Sequence, residues 1–399
     1  MLDCGIHPGL SGLSSLPFFD EVDLDTVDLM LVRKKERRER EGERGRERQV
    51  PFHPSPFSLA HPHLPSPHPS PSSSPSQITH FHLDHCAAVP YVVGHTNFKG
   101  RILMTHPTKA ITATLLRDFV RVARAGTGGD ASSSSTALFT DAHLDAAMAR
   151  TEVIDFHAAT DVDGIRVTAH RAGHVLGAAM FEVEVAGLRL LYTGDYSRAA
   201  DRHLPSADLP ATRPHVLIVE ATYGVSRHVP RPERERRFLD TVTRTLRRGG
   251  RVLLPVVALG RAQELLLILE EHWAAHPELQ AIPIYQASGL ARRAMSVYQT
   301  YIESMNDAVQ AAFRTANPFV FRHVTHLRGA ASLDGCGPCV VLATPSMLQS
   351  GLSRDLFEAW CEDARNGVII ADFAVSGTLA REILGAPDTV LARSGARLP

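Results

Sequence analysis

No stretch of this sequence approaches the roughly 18 to 20 consecutive apolar residues that a membrane-spanning helix requires. The N-terminal MLDCGIHPG also lacks the basic and apolar regions of a secretory leader. An intracellular protein with no membrane partner is therefore expected. Cysteine is scarce: five residues, an odd number spread over a long chain, exclude a disulfide framework and predict free thiols. Net charge is nearly absent as well, at −1, which removes any global attraction to a polyanion and leaves such binding to local patches. What is present suffices for a sizeable core, since 44% of the 399 residues are hydrophobic, and the length suits two domains.

One segment departs from this globular character. Residues 33–48, RKKERREREGERGRER, hold nine basic and five acidic side chains and nothing to bury. Residues 51–77 follow with nine prolines and eight serines, a composition that rules out helix and a sheet interior. Residues 33–77 are expected to be a disordered low-complexity insertion, either a solvated linker or a basic arm for nuclear targeting or RNA. It separates VDLMLV (27–32), which reads as a buried strand, from ITHFHLDH (78–85). A strand that delivers ligands should run straight into them, so DLMLV-ITHFHLDH is the expected original connection.

The second of these stretches carries chemistry. His80 and His82 are two apart, so at a strand end both point to one face. Asp84 and His85 follow in a turn that swings a second pair of ligands towards a neighbouring point. Imidazole and carboxylate donors suit zinc, and paired metals serve in-line attack at phosphorus or carbonyl. Farther on, 171–198 reads as a hairpin: alternation through MFEVEV, a turn at Ala186 and Gly187, then LRLLYTG running out at Asp195. His174 precedes the hairpin and Asp195 ends it, so both reach one sheet edge, where Asp195 is placed to bridge two cations.

THFHLDHCAAVPY, AGHVLGAAMF, YTGDYSR and the Asp3 of MLDCGIHPG resemble the signature motifs of the metallo-β-lactamase superfamily. VEATYG (219–224), LLPVVALGRAQELLLILEEHW and MLQSGLSRDLFEAW resemble its β-CASP nuclease branch, and HPGLSGLSSLPFFDEVDLDTVDLMLV and MSVYQTYIESMND resemble its pre-mRNA 3′-end processing members. The resemblance covers nearly the whole chain outside residues 33–77. It implies an αββα metallo-β-lactamase sandwich, residues 1–32 and 78–224, capped by a β-CASP α/β domain, residues 225–399. It assigns His80, His82 and His174 to one zinc, Asp84 and His85 to a second, Asp195 to both, and Asp3 to orienting the ligand loop. The implied activity is metal-dependent hydrolysis of an RNA phosphodiester by in-line attack of a hydroxide between two Zn2+ ions, with Asp84, Asp195 and Glu220 as catalytic carboxylates. Glu220 resembles an acidic residue that pairs with the proton donor to the leaving oxygen. The implied partners are pre-mRNA and other subunits of a cleavage and polyadenylation complex, among them a β-CASP-related one, and the implied compartment is the nucleus. A non-catalytic RNA-binding subunit, a nuclease for small nuclear RNA of the Integrator type, and a small-ester hydrolase are the competing readings.

The chain also differs from the family pattern. Strands ahead of Met1, and two histidines after the cap, one of them the terminal ligand of the second zinc, belong to that pattern and are expected to lie outside this sequence. Ser346, Asp372 and Ser376 replace the family's usual glycine, glycine and glutamate. Cys336 and Cys339 have the C-x-x-C spacing of redox sites but no second pair, and a strand follows them, so they read as incidental cysteines in a surface turn. From residue 225 strands and helices alternate, the pattern of a largely parallel sheet. Within it Arg261 opens a helix directly after a strand, where its guanidinium and the helix N-terminus face RNA phosphate or merely cap the helix.

Overall fold

The computed structural model describes residues 2–7, 12–17, 75–126, 138–199, 201–287, 289–327, 333 and 335–398. The expected strand at 27–32 and all but the last three residues of the low-complexity segment lie outside these. Those three residues form a strand, β1 (Pro75–Gln77), where the composition had predicted no sheet. Proline is tolerated there because it is the first residue of an edge strand and owes the ladder no N–H. β1 pairs in parallel with β2 (Arg101–Met104), and β2 with β3 (Thr151–Val153). Leu2 bridges to Gln77 on the open side of β1.

The alternation of β2 explains how this sheet is covered. Ile102 and Met104 face one way, into an apolar cluster with Val92, Leu116, Val120, Leu144 and Met148. These come from α2 (Val89–His95), α3 (His106–Gly126) and α4 (Asp141–Arg150). Leu103 faces the other way, against Val167, Ala169, Ala179 and Phe181 of a second sheet. That sheet runs in the order β4 (Ala159–Val162), β5 (Ile165–Arg171), β6 (Ala179–Val185), β7 (Leu188–Tyr192), β8 (Val216–Ile218). Helices on a sheet packed on a second sheet is the layering expected of a metallo-β-lactamase sandwich. The β6–β7 hairpin turns where the sequence predicted, with Ala186 and Gly187 both at positive φ, 49° and 79°, the backbone a two-residue turn between twisted strands requires.

After β8 the chain enters an α/β unit whose five strands are all parallel, as the alternating pattern implied. Their order is β11 (Val324–His326), β10 (Ile284–Ala287), β12 (Val340–Ala343), β9 (Val252–Pro255), β13 (Gly367–Val368). Every residue of the central strands β9 and β12 is buried, which explains their unbroken apolar sequence. The connecting helices are α5 (Arg231–Arg247), α6 (Arg261–Ala275), α7 (Gly289–Thr300), α8 (Asp307–Phe313), α9 (Gly351–Trp360) and α10 (Leu379–Ile383). A short hairpin, β14 (Val390–Leu391) with β15 (Arg397–Leu398), follows. One apolar cluster joins the two halves: Phe81, Ile111, Leu176 and Met180 of the first pack with Leu259, Leu267, Tyr298 and Phe319 of the second. All five cysteines are free. Cys339 is buried, so the C-x-x-C reaches into the core instead of lying wholly in a surface turn.

Candidate metal centre

The ligand loop begins where β1 ends, and a side chain decides where that is. The N–H of Thr79 donates to Asp3 Oδ1 at 2.7 Å, so pairing stops at Gln77 and the next residues leave the sheet. His80 and His82 therefore sit just beyond the strand, not within it, yet their two-residue spacing still brings their rings together, with centroids 4.6 Å apart. Asp84 and His85 lie in a single helical turn, α1 (Leu83–Cys86), where a plain turn had been expected.

Asp3 is the brace of this loop. Its carboxylate is buried and accepts from Thr79 N–H, from the Thr79 hydroxyl at 2.9 Å, from Tyr192 OH at 2.9 Å and from His85 Nδ1 at 2.8 Å. The His85 bond orients the ring so that Nε2 faces away, towards Asp84 Oδ2 at 3.7 Å and Asp195 Oδ1 at 3.5 Å. Asp3 has φ 60° and His174 φ 32°, backbone that non-glycine residues adopt at a cost of about 1 kcal/mol or more. Strain held at two residues of one cluster marks a site that the surrounding fold over-determines.

Asp195 is delivered by β7 through Gly194, whose φ is 52°. A Cβ at Gly194 would lie 2.6 Å from Thr79 Cγ2, so only glycine lets the end of β7 close against the ligand loop. The two oxygens of Asp195 then point to different groups. Oδ2 lies 3.9 Å from His80 Nε2 and 3.7 Å from His174 Nε2, while Oδ1 faces His85. His82 Nδ1 is 2.9 Å from His80 Nε2 and 3.3 Å from His174 Nε2. A zinc tetrahedron with arms of about 2.0 to 2.1 Å has edges of about 3.3 Å, so His80, His82, His174 and Asp195 have the donors and the spacing to hold a metal ion.

Electrostatics separates the two groups of ligands. Burial, reinforced by the neighbouring imidazoles, pushes His80 well below the usual histidine range, and His174 to about 3. Burial also lowers His82 against the pull of Asp84 and Asp195. All three are neutral near pH 7 and offer lone pairs. Burial opposes protonation of His85 too, but Asp3 and the hydrogen bond to Asp195 outweigh it and raise its pKa well above normal. Burial works against the charge of Asp195 as well, yet His85 holds its carboxyl below the usual range.

A metallo-beta-lactamase superfamily domain model matches residues 76–221, and a Beta-Casp domain model matches residues 262–383. The chain belongs to the metallo-β-lactamase/β-CASP family. It is 46% identical over 399 residues to cleavage and polyadenylation specificity factor 73 of Drosophila melanogaster, covering 100% of this chain and 51% of that one. It is 45% identical to endoribonuclease ysh1 of Schizosaccharomyces pombe, covering 100% of this chain and 46% of that one. With endoribonuclease YSH1 of Saccharomyces cerevisiae the identity is 46%, over 98% of this chain and 45% of the relative. The chain thus spans about half the length of the relatives it matches. Membership of this family implies metal binding, for which the His/Asp cluster supplies the donors.

The structure gathers His80, His82, Asp84, His85, His174, Asp195 and Asp3 of the residues singled out from the sequence. Glu220 is held differently: its Oε2 accepts from the Thr222 N–H at 2.8 Å, and its own N–H lies 3.4 Å from Thr193 Oγ1. Arg261 opens α6 beside the cluster, since a Cβ on Gly260 would stand 3.9 Å from His82 Nε2. Its guanidinium, expected either to face RNA phosphate or to cap the helix, is engaged by Glu264 and lies 3.5 Å from Asp372 Oδ1. Sequence reasoning missed the Thr79 and Tyr192 hydroxyls, because an isolated threonine or tyrosine carries no spacing signal. It also missed a second group, His157, His170 and Asp208, on the sheet surface.

Proposed function

We propose that this chain is the catalytic portion of a metal-dependent endoribonuclease that cuts pre-mRNA at its 3′ end before polyadenylation. One observation carries the proposal: a single carboxylate, Asp195, presents one oxygen to His80 and His174 and the other to His85. That is the donor arrangement for two cations sharing a ligand, and two adjacent cations suit phosphodiester hydrolysis. His80, His82 and His174 would hold one zinc, and Asp84 and His85 would contribute to a second. Bound there, the pair supplies Lewis acidity to the phosphate and a nucleophile at neutral pH. Asp3 positions His85, and Glu220 keeps a carboxylate at the end of β8 for proton transfer at the leaving oxygen.

The relatives named for cleavage and polyadenylation or for endoribonuclease activity support RNA as the substrate. On this reading the metallo-β-lactamase part is 1–32 with 78–224, the cap is 225–399, and the protein works in the nucleus. Its partners are RNA and the other subunits of a cleavage and polyadenylation complex, one of them β-CASP-related. Elemental analysis of the purified chain with a single-stranded RNA cleavage assay tests the proposal. At least one zinc ion per chain, and cleavage that Asp195→Ala removes, are expected. Metal-loaded protein that binds RNA and leaves it intact assigns a non-catalytic RNA-binding role instead.

A further inference from the structure

Two aromatic rings, Tyr223 and Phe373, stay half exposed among the described residues. Tyr223 is 43% exposed and Phe373 48%, although both are rings that folding ordinarily buries. Each follows a residue of the site closely: Tyr223 lies three positions after Glu220, and Phe373 directly after Asp372. They come from opposite halves of the chain and meet edge to face, with centroids 6.0 Å apart and planes at 87°. His228 packs against Tyr223 in the same manner, at 4.5 Å, so the Tyr223 ring is fixed from two sides. Phe373 follows Asp372, whose Oδ1 lies 3.5 Å from Arg261, and Arg261 opens α6 next to Gly260, where a Cβ would stand 3.9 Å from His82 Nε2. That chain of contacts ties the ring pair to the cluster.

We propose that Tyr223 and Phe373 form a stacking platform for a nucleobase of the RNA strand next to the phosphate held at the metal centre. The inference rests on the reading of that centre as an RNA nuclease. The net charge of −1 gives no global pull on a polyanion, and Arg261, beside the cluster, is engaged by Glu264 and Asp372. A strand held at one phosphate needs another purchase beside it, and aromatic faces supply it to any base, since every base has a π-face. The platform tolerates any sequence and sets only where along the strand the cut falls.

The test is fluorescence anisotropy of a labelled octaribonucleotide with the 399-residue chain, comparing intact RNA with a series in which a single abasic site is walked along the strand. Tyr223→Ala and Phe373→Ala are each expected to weaken binding of intact RNA about 5- to 100-fold. Tyr223→Phe and Phe373→Tyr should retain it, with metal content and melting temperature unchanged in all four. At one abasic position wild type and alanine variants should bind alike, because the base that the rings hold is gone. Alanine variants that bind intact RNA as wild type does, or that lose the same factor at every abasic position, overturn the platform alone. A wild-type chain that binds no RNA overturns the nuclease reading and the platform with it.

Discussion

Two groups of histidines and carboxylates in this protein meet the same loose description and differ in kind. In the central one three imidazole nitrogens converge within 2.9 to 3.3 Å, while the nearest carboxylate oxygens stand 3.7 to 3.9 Å from His174 and His80. In the peripheral one His157 Nε2 lies 2.7 Å from Asp208 Oδ2, and that oxygen also accepts from the Arg171 N–H at 2.6 Å. His170 is likewise bonded to Glu182 at 3.1 Å. The peripheral group satisfies itself as hydrogen bonds. The central one brings three imidazole nitrogens together around a single, more distant carboxylate, the spacing of donors around an ion. Proximity alone does not define a metal site; the separations among donors, and what already neutralises them, do.

The largest effect should come from Asp195→Ala, which removes the carboxylate facing His80, His174 and His85. Metal content should fall, and RNA cleavage by about a thousandfold or more. Full metal retention in elemental analysis would break the comparison at its centre. Asp3→Asn keeps the size but loses an ionised acceptor of four hydrogen bonds. Zinc affinity measured by competition with a chelator should drop about 10- to 100-fold, and an unchanged affinity would mean that the brace is dispensable. His157→Ala should leave metal stoichiometry untouched and cost about 1 kcal/mol or less in urea unfolding, the scale of a solvent-exposed ion pair. Loss of one metal ion in this variant would turn the peripheral group into a genuine site.

The smallest effect concerns a third, purely structural cluster, in which Glu235 of α5 accepts from Arg202 at 2.7 Å and from Arg231 at 2.6 Å. Partial burial opposes the charge, but the two guanidinium groups hold the carboxyl below its ordinary range. A depressed folded pKa adds stability above the unfolded value of about 4.3, and that stability is lost as pH falls through the folded value. Glu235→Gln should therefore be less stable than wild type by about 1 kcal/mol or less at pH 7, the difference closing as pH falls through the lowered folded value. A pH-independent difference would assign the effect to packing.

The sequence made the candidate donors legible because their spacing is local: HFHLDH places four of them in six residues, and the hairpin MFEVEV-AG-LRLLY carries Asp195 to its end. Asp3 was legible only through the family resemblance, since its partners lie 76, 82 and 189 residues away. The strand at Pro75–Gln77 was hidden by its neighbours, because composition averages over a window and pairing with Arg101–Leu103 does not. Arg261 was visible, but the carboxylates that engage it were not. Glu264 is one turn along the same helix, whereas Asp372 arrives from beyond β13. Chemistry borne by a motif can be read from a chain; neutralisation by a distant residue has to be seen.

The reach of Asp3 has a consequence for how the protein comes into being. Asp3 and its last partner, Tyr192, stand 189 residues apart. Domains form as units only once their sequence has emerged, so a growing chain that has not yet reached Tyr192 displays the histidines of the cluster with no frame around them.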